Sequence, residues 1–342
     1  MNSNQKGITI AGNIIIDIVK TVDCYPSIGM LANIHSVSRA VGGCVSNTAI
    51  DLKKIDPSLP VSALGMVGKD DTADFILSEF DKYGVERENI SVSEDQPTSF
   101  SDVISLSSGE RTFFHACGAN ARFSPDDIDL EKLDCDIFHI GYILLLKSMD
   151  KADPEYGTVM AGLLKKVQEK GIKTSIDVVS DSCAEYKSKI LPALKYSNYA
   201  IMNEIESTML SDLEPYDENG KLIVENIKKT MELMAEAGVK DKIIIHCKEA
   251  GFCYDVKTKT FTAAPSLNIP KEEIKGSVGA GDAFCAGSLY GIYTGLSDVE
   301  ILNFASSAAA CNLFAENSID GLRSKAEIEK VAEKYGRKDI KF

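Results

Sequence analysis

The 342-residue sequence has no tryptophan, only four histidines and no Cys-x-x-Cys pair. Its nine cysteines are odd in number, and the histidines do not stand beside them at metal-ligand spacing. We therefore expect reduced thiols scattered through the core of a cytoplasmic protein, not a disulfide framework or a Cys/His metal site.

Basic residues are fewer than acidic ones. The chain has 37 Lys and Arg and 51 Asp and Glu, which gives a net charge of −14. This balance disfavours nucleic acid as a partner, since phosphate contacts need clustered Lys and Arg. No apolar run approaches the roughly 18 residues that a membrane span requires. The first residues lack a basic stretch followed by an apolar signal core, so we expect a soluble protein with no membrane partner.

Hydrophobic residues make up 44% of the chain, enough for a sizeable core. Short β-branched segments alternate with longer segments of helical periodicity, which predicts an α/β fold with a mostly parallel sheet and helices on both faces. The predicted strands of this sheet are residues 7–11, 60–68, 135–146, 173–179, 199–204 and 242–247. The predicted helices are residues 42–55, 72–85, 156–171, 185–196, 222–238, 282–295 and 301–314.

Three extended segments fit this layout poorly. Residues 14–19 follow a turn at Gly12-Asn13, and residues 33–41 show rough alternation. Residues 99–116 contain two β-rich runs around Ser107-Ser108-Gly109-Glu110, which predicts a hairpin. We expect a single domain over residues 1–342, in which insertions at about 14–40 and 98–116 form a small β-sheet that acts as a lid.

The stretch Gly279-Ala280-Gly281-Asp282 carries the functional prediction. The first N–H groups of a helix lack internal partners, and small residues leave these amides open to an anion. A carboxylate beside such a site repels a simple phosphate ligand. It is suited to take a proton from a hydroxyl that attacks the phosphate, while the amides of 279–281 stabilise the transferred phosphoryl group. The alternative is a tight glycine turn with Asp282 as a helix cap.

Two common nucleotide-binding patterns are not found. No Gly-x-x-x-x-Gly-Lys-Ser/Thr run is present, and no lysine follows the glycines of 279–281, so a P-loop is not predicted. No Gly-x-Gly-x-x-Gly follows the first strand, which argues against an NAD-dependent oxidoreductase.

The segment "GSVGAGDAFCAG" resembles the C-terminal signature of the ribokinase family, the sugar kinases that include phosphofructokinase B-type enzymes, fructokinase and adenosine kinase. Further segments resemble family motifs in the family's order: "AGNIIIDIV", "VGGCVSNTAIDLKKI", "SALGMVGKDDTADFI", "ERTFFHACGANARFSPDDI" and "MNEIES". The resemblance covers nearly the whole chain. It implies a ribokinase-like three-layer α/β/α core with a small β-sheet lid.

The resemblance also implies roles for individual residues. Four residues match family positions that contact the sugar: Asp17, Gly42, Gly43 and Asn47. A carboxylate accepts two hydroxyl hydrogen bonds and an amide both donates and accepts, which suits vicinal sugar hydroxyls. The pair Asn203 and Glu206 matches a motif that lies near the phosphates and a hydrated Mg²⁺, which Glu206 would hold through water. The alternatives are a solvated turn aspartate and ordinary helix caps.

Two residues of the predicted return strand are candidates for acceptor recognition. Arg111 and His115 stand four apart in this strand and so share one face. If this face closes over the acceptor, Arg111 would hold an anionic or polyhydroxylated group. A solvent-facing arginine and an internally paired histidine are the alternative. Asp177, which ends another predicted strand, is a further candidate.

The chain departs from the family pattern at two places. Many relatives have Asp-Thr where this chain has Gly276-Ser277, and that aspartate serves a monovalent-cation site, so activation by potassium is left open. Ser277 remains a candidate cofactor contact. Where the family shows Thr-x-Gly-x-x-Gly near the nucleotide, this chain has His246, Lys248 and Gly251. Lys248 would reach a phosphate or lie at the rim of the site, and Gly251 keeps the family residue.

These observations together predict an ATP-dependent, Mg²⁺-dependent carbohydrate kinase that phosphorylates a primary hydroxyl of a small sugar, for example a ribose-, fructose- or sugar-acid-like acceptor. A nucleoside kinase and a non-catalytic sugar- or nucleotide-binding sensor are the alternatives. Because exposed sheet edges favour pairing with a second copy, we also expect a homodimer formed through the lid.

Overall fold

The structure is a computed structural model that describes residues 6–106, 110–180, 185–340 and 342. The strands in these residues are β1 (Ile8–Ala11), β2 (Ile15–Val22), β3 (Ile34–Gly42), β4 (Val61–Val67), β5 (Ile90–Val92), β6 (Phe100–Leu106), β7 (Arg111–Ala116), β8 (Ile137–Ile143), β9 (Ala152–Asp153), β10 (Gly157–Thr158), β11 (Lys173–Val178), β12 (Tyr199–Asn203), β13 (Lys242–His246), β14 (Ala250–Asp255) and β15 (Thr260–Pro265). The helices are α1 (Gly43–Ile55), α2 (Asp71–Tyr83), α3 (Val159–Glu169), α4 (Tyr186–Leu194), α5 (Glu204–Thr208), α6 (Val224–Glu236), α7 (Ala280–Thr294), α8 (Asp298–Asn312) and α9 (Lys325–Tyr335).

The main sheet has nine strands in the order β15-β14-β13-β12-β11-β8-β1-β4-β5. All neighbours from β13 to β5 pair in parallel, and only the β13-β14 and β14-β15 pairs are antiparallel. The predicted mostly parallel sheet is confirmed. In such a sheet the carboxyl ends of the parallel strands meet at one edge, where ligands bind.

Helices cover both faces of the main sheet, so the core has three layers. Ile244 of β13 joins a buried cluster with side chains of α1, α7 and α8, such as Leu289. Its neighbours Ile243 and Ile245 join a second cluster with side chains of α3, α4 and α6, such as Leu163. Adjacent strand residues point to opposite faces, which explains the nearly continuous apolar strands in the sequence.

The small sheet has four strands in the order β3-β2-β6-β7. The pairs β2-β3 and β6-β7 are antiparallel, and β2-β6 is parallel. Its strands come from the two chain segments in which the sequence predicts extended structure. The predicted hairpin turn at 107–109 lies outside the described residues.

The structure differs from the sequence prediction in several places, and the short strand β5 and the helix α9 are among the elements that the sequence does not predict. The apolar segment 135–146 is not one long strand, because β8 ends at Ile143 and both Tyr142 and Leu144 have positive φ. Nearby carboxylates stabilise this bend, since the N–H of Tyr142 donates to Asp177 and the N–H groups of Leu144 and Leu146 donate to Asp150. The antiparallel edge strands β14 and β15 are not predicted from the sequence, because their polarity pattern gives no clear strand signal.

Two composition-based expectations can be compared with the described part of the chain. None of its helices combines the length and apolarity needed to cross a membrane. Its eight cysteines are free thiols, and most of them are buried. The ninth, Cys183, lies outside the described residues.

Candidate active site

The helix α7 begins at the edge of the main sheet where the parallel strands end. Gly279 precedes it with φ of 77°, a conformation that favours glycine. A Cβ on Gly279 would lie 2.6 Å from the Cα of Ser318, so no side chain fits there. Asp282 lies in the first turn of α7 and is only 6% exposed. The sequence therefore places a buried carboxylate at the positive end of a helix.

Two side chains donate hydrogen bonds to the carboxylate of Asp282. Asn47 Nδ2 lies 2.8 Å from Asp282 Oδ2, and the Tyr142 hydroxyl lies 3.1 Å from both carboxylate oxygens. Burial raises the pKa of Asp282 to about 7, and the nearby charge of Asp177 adds to the effect, whereas the bonds from Asn47 and Tyr142 lower it. A carboxyl group with a pKa near neutral pH can chemically serve as a proton acceptor or donor.

The side-chain oxygen of Asn47 is also hydrogen-bonded, which fixes the orientation of its amide group. The hydroxyl of Ser318 donates to Asn47 Oδ1 at 2.8 Å and also lies 3.2 Å from the carbonyl of Val41. The Asn47 amide group is thus turned so that its NH₂ faces Asp282. In this structure Asn47 orients the carboxylate, and its contact with a sugar remains a prediction.

Tyr142 contacts Asp282 but lies outside the family motifs found in the sequence. It has φ of 57°, an uncommon conformation for a bulky residue. Its backbone N–H donates to Asp177 Oδ1 at 2.5 Å, and its hydroxyl reaches Asp282. The only sequence signal is its position just after Gly141 near the end of a predicted strand, where ligand-binding residues of α/β folds occur.

A cavity of about 240 Å³, called the main cavity below, lies between α7 and the ends of the parallel strands. It brings together six predicted site residues, namely Asp177, Asn203, Glu206, Gly279, Gly281 and Asp282, and several that were not predicted. Its lining residues are Tyr142, Asp177, Val178, Val179, Ser180, Ile201, Met202, Asn203, Glu206, His246, Gly279, Gly281, Asp282 and Cys285.

Glu206 forms the side of the main cavity away from the small sheet. Asn203 and Glu206 cap α5 reciprocally, because Asn203 Oδ1 accepts from the Glu206 N–H at 2.8 Å and Glu206 Oε2 accepts from the Asn203 N–H at 2.9 Å. The Ser180 hydroxyl donates to Glu206 Oε1 at 2.8 Å. Burial raises the pKa of Glu206 to about 7. A buried carboxylate that faces a cavity in this way suits a hydrated cation.

His246 stands where the family pattern has threonine. Its ring packs on Phe284, with 4.6 Å between ring centroids. Burial lowers the pKa of His246 to about 4, so the imidazole is neutral at physiological pH. His246 therefore contributes a polar but uncharged wall to the main cavity.

Asp17 and Arg111 line a second, narrower cleft between the small sheet and the start of α7, called the small cleft below. Its other lining residues are Val19, Ala40, Val103, Phe113, Val278, Glu316, Asn317 and Ser318. Burial raises the pKa of Asp17 to about 6, and the positive charge of Arg111 opposes this shift. Arg111 Nη2 donates to the carbonyl of Glu316 at 3.3 Å. The cleft thus combines a carboxylate and a guanidinium on one face of the small sheet.

Three further predicted acceptor residues lie around Asp17. A Cβ on Gly42 would come within 2.6 Å of Asp17 Oδ2, so Gly42 allows that carboxylate its position. Gly43 has φ of 81°, and a Cβ there would lie 2.4 Å from the carbonyl oxygen of Asn13. His115 Nδ1 hydrogen-bonds the Ser101 hydroxyl at 3.1 Å, and burial lowers its pKa. His115 shares the face of Arg111 but is paired within the sheet.

Four of the residues predicted to contact phosphate or nucleotide do not line the main cavity: Ser277, Ala280, Lys248 and Gly251. The Ala280 N–H donates to the Ser277 carbonyl at 3.2 Å, so its amide is already paired, and the Ser277 side chain is exposed. Lys248 is 74% exposed, with its Nζ 3.4 Å from Glu249 Oε1. Gly251 is buried in β14, and a Cβ there would lie 3.2 Å from both Phe284 and Leu302. Their contacts with phosphate or nucleotide stay predictions.

Comparison with known proteins gives relatives along almost the entire chain. A 5-dehydro-2-deoxygluconokinase of Clostridium beijerinckii is 24% identical over 320 residues, covering 90% of this chain and 89% of the relative. The structure of Arabidopsis thaliana ribokinase complexed with ribose and ATP superimposes with a TM-score of 0.79 at 19% identity, covering 96% of this chain and 98% of that protein. A putative ribokinase II from E. coli in complex with ATP and Mg²⁺ gives a TM-score of 0.75 at 18% identity, covering 96% and 100%.

These similarities confirm the ribokinase-like fold. The sequence profile of the pfkB family carbohydrate kinases matches residues 5–325, which confirms the resemblance drawn from the motifs and the prediction of a sugar kinase. The buried Asp282 at the start of α7 lies within this match. The chain therefore belongs to the pfkB family of carbohydrate kinases.

Proposed function

We propose that this carbohydrate kinase transfers the terminal phosphoryl group of ATP to a primary hydroxyl of a small acidic sugar, with Asp282 as the base. The observation that carries the proposal is the Asp282 carboxylate, which is buried against Asn47 and Tyr142 beside the bare backbone of Gly279 and Gly281. The alternative of a helix cap is disfavoured, because the hydrogen bonds that the Asp282 carboxylate accepts from the described residues come from the side chains of Asn47 and Tyr142.

The proposed reaction is an in-line displacement. Asp282 accepts the proton of the acceptor hydroxyl as its oxygen bonds to the terminal phosphorus, and the bond from this phosphorus to the bridging oxygen breaks to release ADP. The N–H groups of Gly279 and Gly281 stabilise the charge on the transferred group. Ala280 can join them only after its amide leaves the Ser277 carbonyl.

The residues around Glu206 fit a hydrated Mg²⁺. Glu206 is buried, faces the main cavity, and has its pKa raised to about 7 by burial, so a nearby cation would stabilise its charged form. Asn203 and Glu206 would hold the metal through its water ligands. When bound, Mg²⁺ would neutralise charge on the donor phosphates. The solved relative with ATP and Mg²⁺ supports this assignment.

The acceptor is proposed to bind at the small cleft, where the small sheet acts as a lid. Asp17 suits vicinal hydroxyls, and Arg111 offers a guanidinium that would pair with a carboxylate. The name of the relative from Clostridium beijerinckii supports an acidic sugar. Phe113 also lines this cleft and favours a nucleoside as the second candidate, since an aromatic ring can stack on a base.

A cytoplasmic location is proposed, because free thiols persist in a reducing compartment.

Replacing Asp282 by asparagine tests the proposed base. Asp282→Asn keeps the shape but removes the proton acceptor, so kcat should fall by about 10²- to 10⁴-fold while ATP binding persists. Steady-state kinetics and calorimetric ATP titration measure the two effects. Asp71→Asn, an exposed aspartate in the first turn of α2, serves as the control and should retain full activity. An Asp282→Asn enzyme with normal kcat would exclude this base.

Replacing Arg111 by alanine tests acceptor recognition. Arg111→Ala should raise KM about 10- to 100-fold for a sugar acid and little for a neutral sugar, because a charge-assisted hydrogen bond is lost. The assay compares 5-dehydro-2-deoxygluconate, 2-dehydro-3-deoxygluconate, ribose, fructose and adenosine as acceptors with Mg-ATP. Arg39→Ala is the matched control, since Arg39 pairs with Ile18 and points to the opposite face of the small sheet from Asp17. Equal losses with all acceptors would contradict the role, and preference for adenosine would favour the nucleoside kinase.

The pH profile tests the tuning of Asp282. Activity requires the carboxylate form, so kcat/KM should rise with pH through about 7 in the wild type. The Tyr142 hydroxyl bond lowers the pKa of Asp282, so Tyr142→Phe should move this rise to higher pH and reduce the rate more at pH 6 than at pH 8. Tyr290→Phe, farther along the same helix, is the control and should leave the profile unchanged. An unmoved profile in Tyr142→Phe would mean that the hydroxyl does not tune the base.

We further propose a homodimer formed through the small sheet. Val37 and Phe114 are exposed on the sheet face opposite Asp17, and the loop between β2 and β3 exposes Ile28, Met30 and Leu31. Such a group of exposed apolar side chains is typical of an interface. Light scattering should give about twice the 37.1 kDa chain mass, and Val37→Lys should yield monomers. Val299→Lys, an exposed apolar site on α8, is the control, and a monomeric wild type would refute the dimer.

A further inference from the structure

Three potential metal ligands converge beneath the carboxylate of Asp282. His139 lies on β8, Asp177 ends β11, and Cys285 lies three residues after Asp282 on α7. His139 Nε2 is 3.1 Å from Asp177 Oδ2 and 3.7 Å from Cys285 Sγ, and the three ligand atoms all lie within 4.8 Å of one another. All three residues are buried.

Two of the three spacings between these atoms are close to those of a tetrahedral zinc site, and the third, between Asp177 and Cys285, lies within 4.8 Å. Zinc binds nitrogen and oxygen at about 2.0 Å and sulfur at about 2.3 Å. In a tetrahedral site the nitrogen and oxygen ligand atoms then lie about 3.3 Å apart, and the nitrogen and sulfur ligand atoms about 3.5 Å apart. The observed 3.1 Å and 3.7 Å differ from these edges by only a few tenths of an ångström. An ion could therefore enter with small side-chain adjustments.

The histidine of this cluster is already oriented as a ligand. Its Nδ1 lies 2.9 Å from the hydroxyl of Ser175, and with the proton on Nδ1 the Nε2 lone pair faces Asp177 and Cys285. Metal-binding histidines usually have such an outer partner, which fixes the ring and the tautomer. At present Nε2 hydrogen-bonds the carboxylate of Asp177, and an ion at this position would replace the hydrogen of that bond.

Access and charge also favour a cation here. Asp177 and Cys285 line the main cavity, so an ion that enters the cavity reaches both. An ionised carboxylate and a thiolate together balance the two positive charges of the ion. A nitrogen, oxygen and sulfur donor set suits Zn²⁺, whereas Mg²⁺ prefers oxygen ligands and keeps its waters. The cluster thus differs in chemistry from the position proposed for Mg²⁺ at Glu206.

We propose that His139, Asp177 and Cys285 form a zinc site that inhibits phosphoryl transfer. The ion would bind the carboxylate of Asp177, which now accepts the Tyr142 N–H, and would therefore disturb the residue whose hydroxyl contacts Asp282. Its charge would also stabilise the Asp282 carboxylate and weaken its attraction for a proton. Both effects oppose the base that the proposed function requires.

Cobalt binding tests the site without any turnover. The full-length protein, free of nucleotide and chelator, should bind one Co²⁺ with the visible bands of a tetrahedral site and a thiolate-to-cobalt charge-transfer band. Cys285→Ala should abolish the charge-transfer band and weaken binding by at least about 10-fold. Cys311→Ala, a buried thiol on α8, is the matched control and should keep both. Thermal unfolding of each variant verifies folding, and His139→Asn provides a second ligand variant.

The outcomes separate the zinc site from the proposed kinase function. A charge-transfer band that persists in Cys285→Ala, or a wild type that binds no Co²⁺, would overturn the site whatever the enzyme phosphorylates. In kinase assays with excess Mg-ATP, added Zn²⁺ should inhibit the wild type and Cys311→Ala. The Zn²⁺ concentration that halves the rate of Cys285→Ala should be at least about 10-fold higher, with each rate expressed relative to that of the same protein without zinc. Equal inhibition of all three would overturn the inhibitory role.

Discussion

The arrangement of the candidate site depends on the burial of one carboxylate at the start of α7. Asp282 loses most of its contact with water, which raises its pKa, and it regains hydrogen bonds from Asn47 and Tyr142, which lower it. The balance of these effects raises the pKa of Asp282 to about 7. Neighbouring residues maintain these contacts. Gly279 lets the backbone turn sharply beside Ser318, and the Ser318 hydroxyl hydrogen-bonds Asn47 and orients it. Each of these residues contributes to the environment of the Asp282 side chain.

The start of α7 also separates two spaces with different chemistry. Val278 lines the small cleft with Asp17 and Arg111, whereas Gly279 lines the main cavity with Asn203 and Glu206. Ser318 reaches both sides, since it lines the small cleft and hydrogen-bonds Asn47. A transfer between an acceptor on one side and a donor on the other would cross this boundary at Asp282. The short glycine-rich segment is thus suited to position two substrates at once, which is the main requirement of phosphoryl transfer.

The sequence predicts much of this arrangement, and what it misses has a physical cause. Alternating strands and helices predict the main sheet, and the motif at 279–282 predicts the carboxylate, because both depend on neighbours in the chain. The contacts of Asn47 and Tyr142 with Asp282 join residues 235 and 140 positions apart, and local patterns carry no information about such pairs. The conformation of Tyr142 is also not visible in the local sequence. Its positive φ occurs at a residue other than glycine and is stabilised by the carboxylate of Asp177, which is distant in sequence.

The charges around the main cavity limit what can occupy it. Asp177, Glu206 and Asp282 all line it, and Asp177 raises the pKa of both other carboxyl groups in addition to their burial. His246 adds no positive charge, because burial lowers its pKa to about 4, and Lys248 lies exposed beside Glu249. A bare polyphosphate would meet three acidic groups with only backbone amides to attract it. A polyphosphate that carries its own cation would bring the missing positive charge, which supports the proposal that the donor binds as its Mg²⁺ complex.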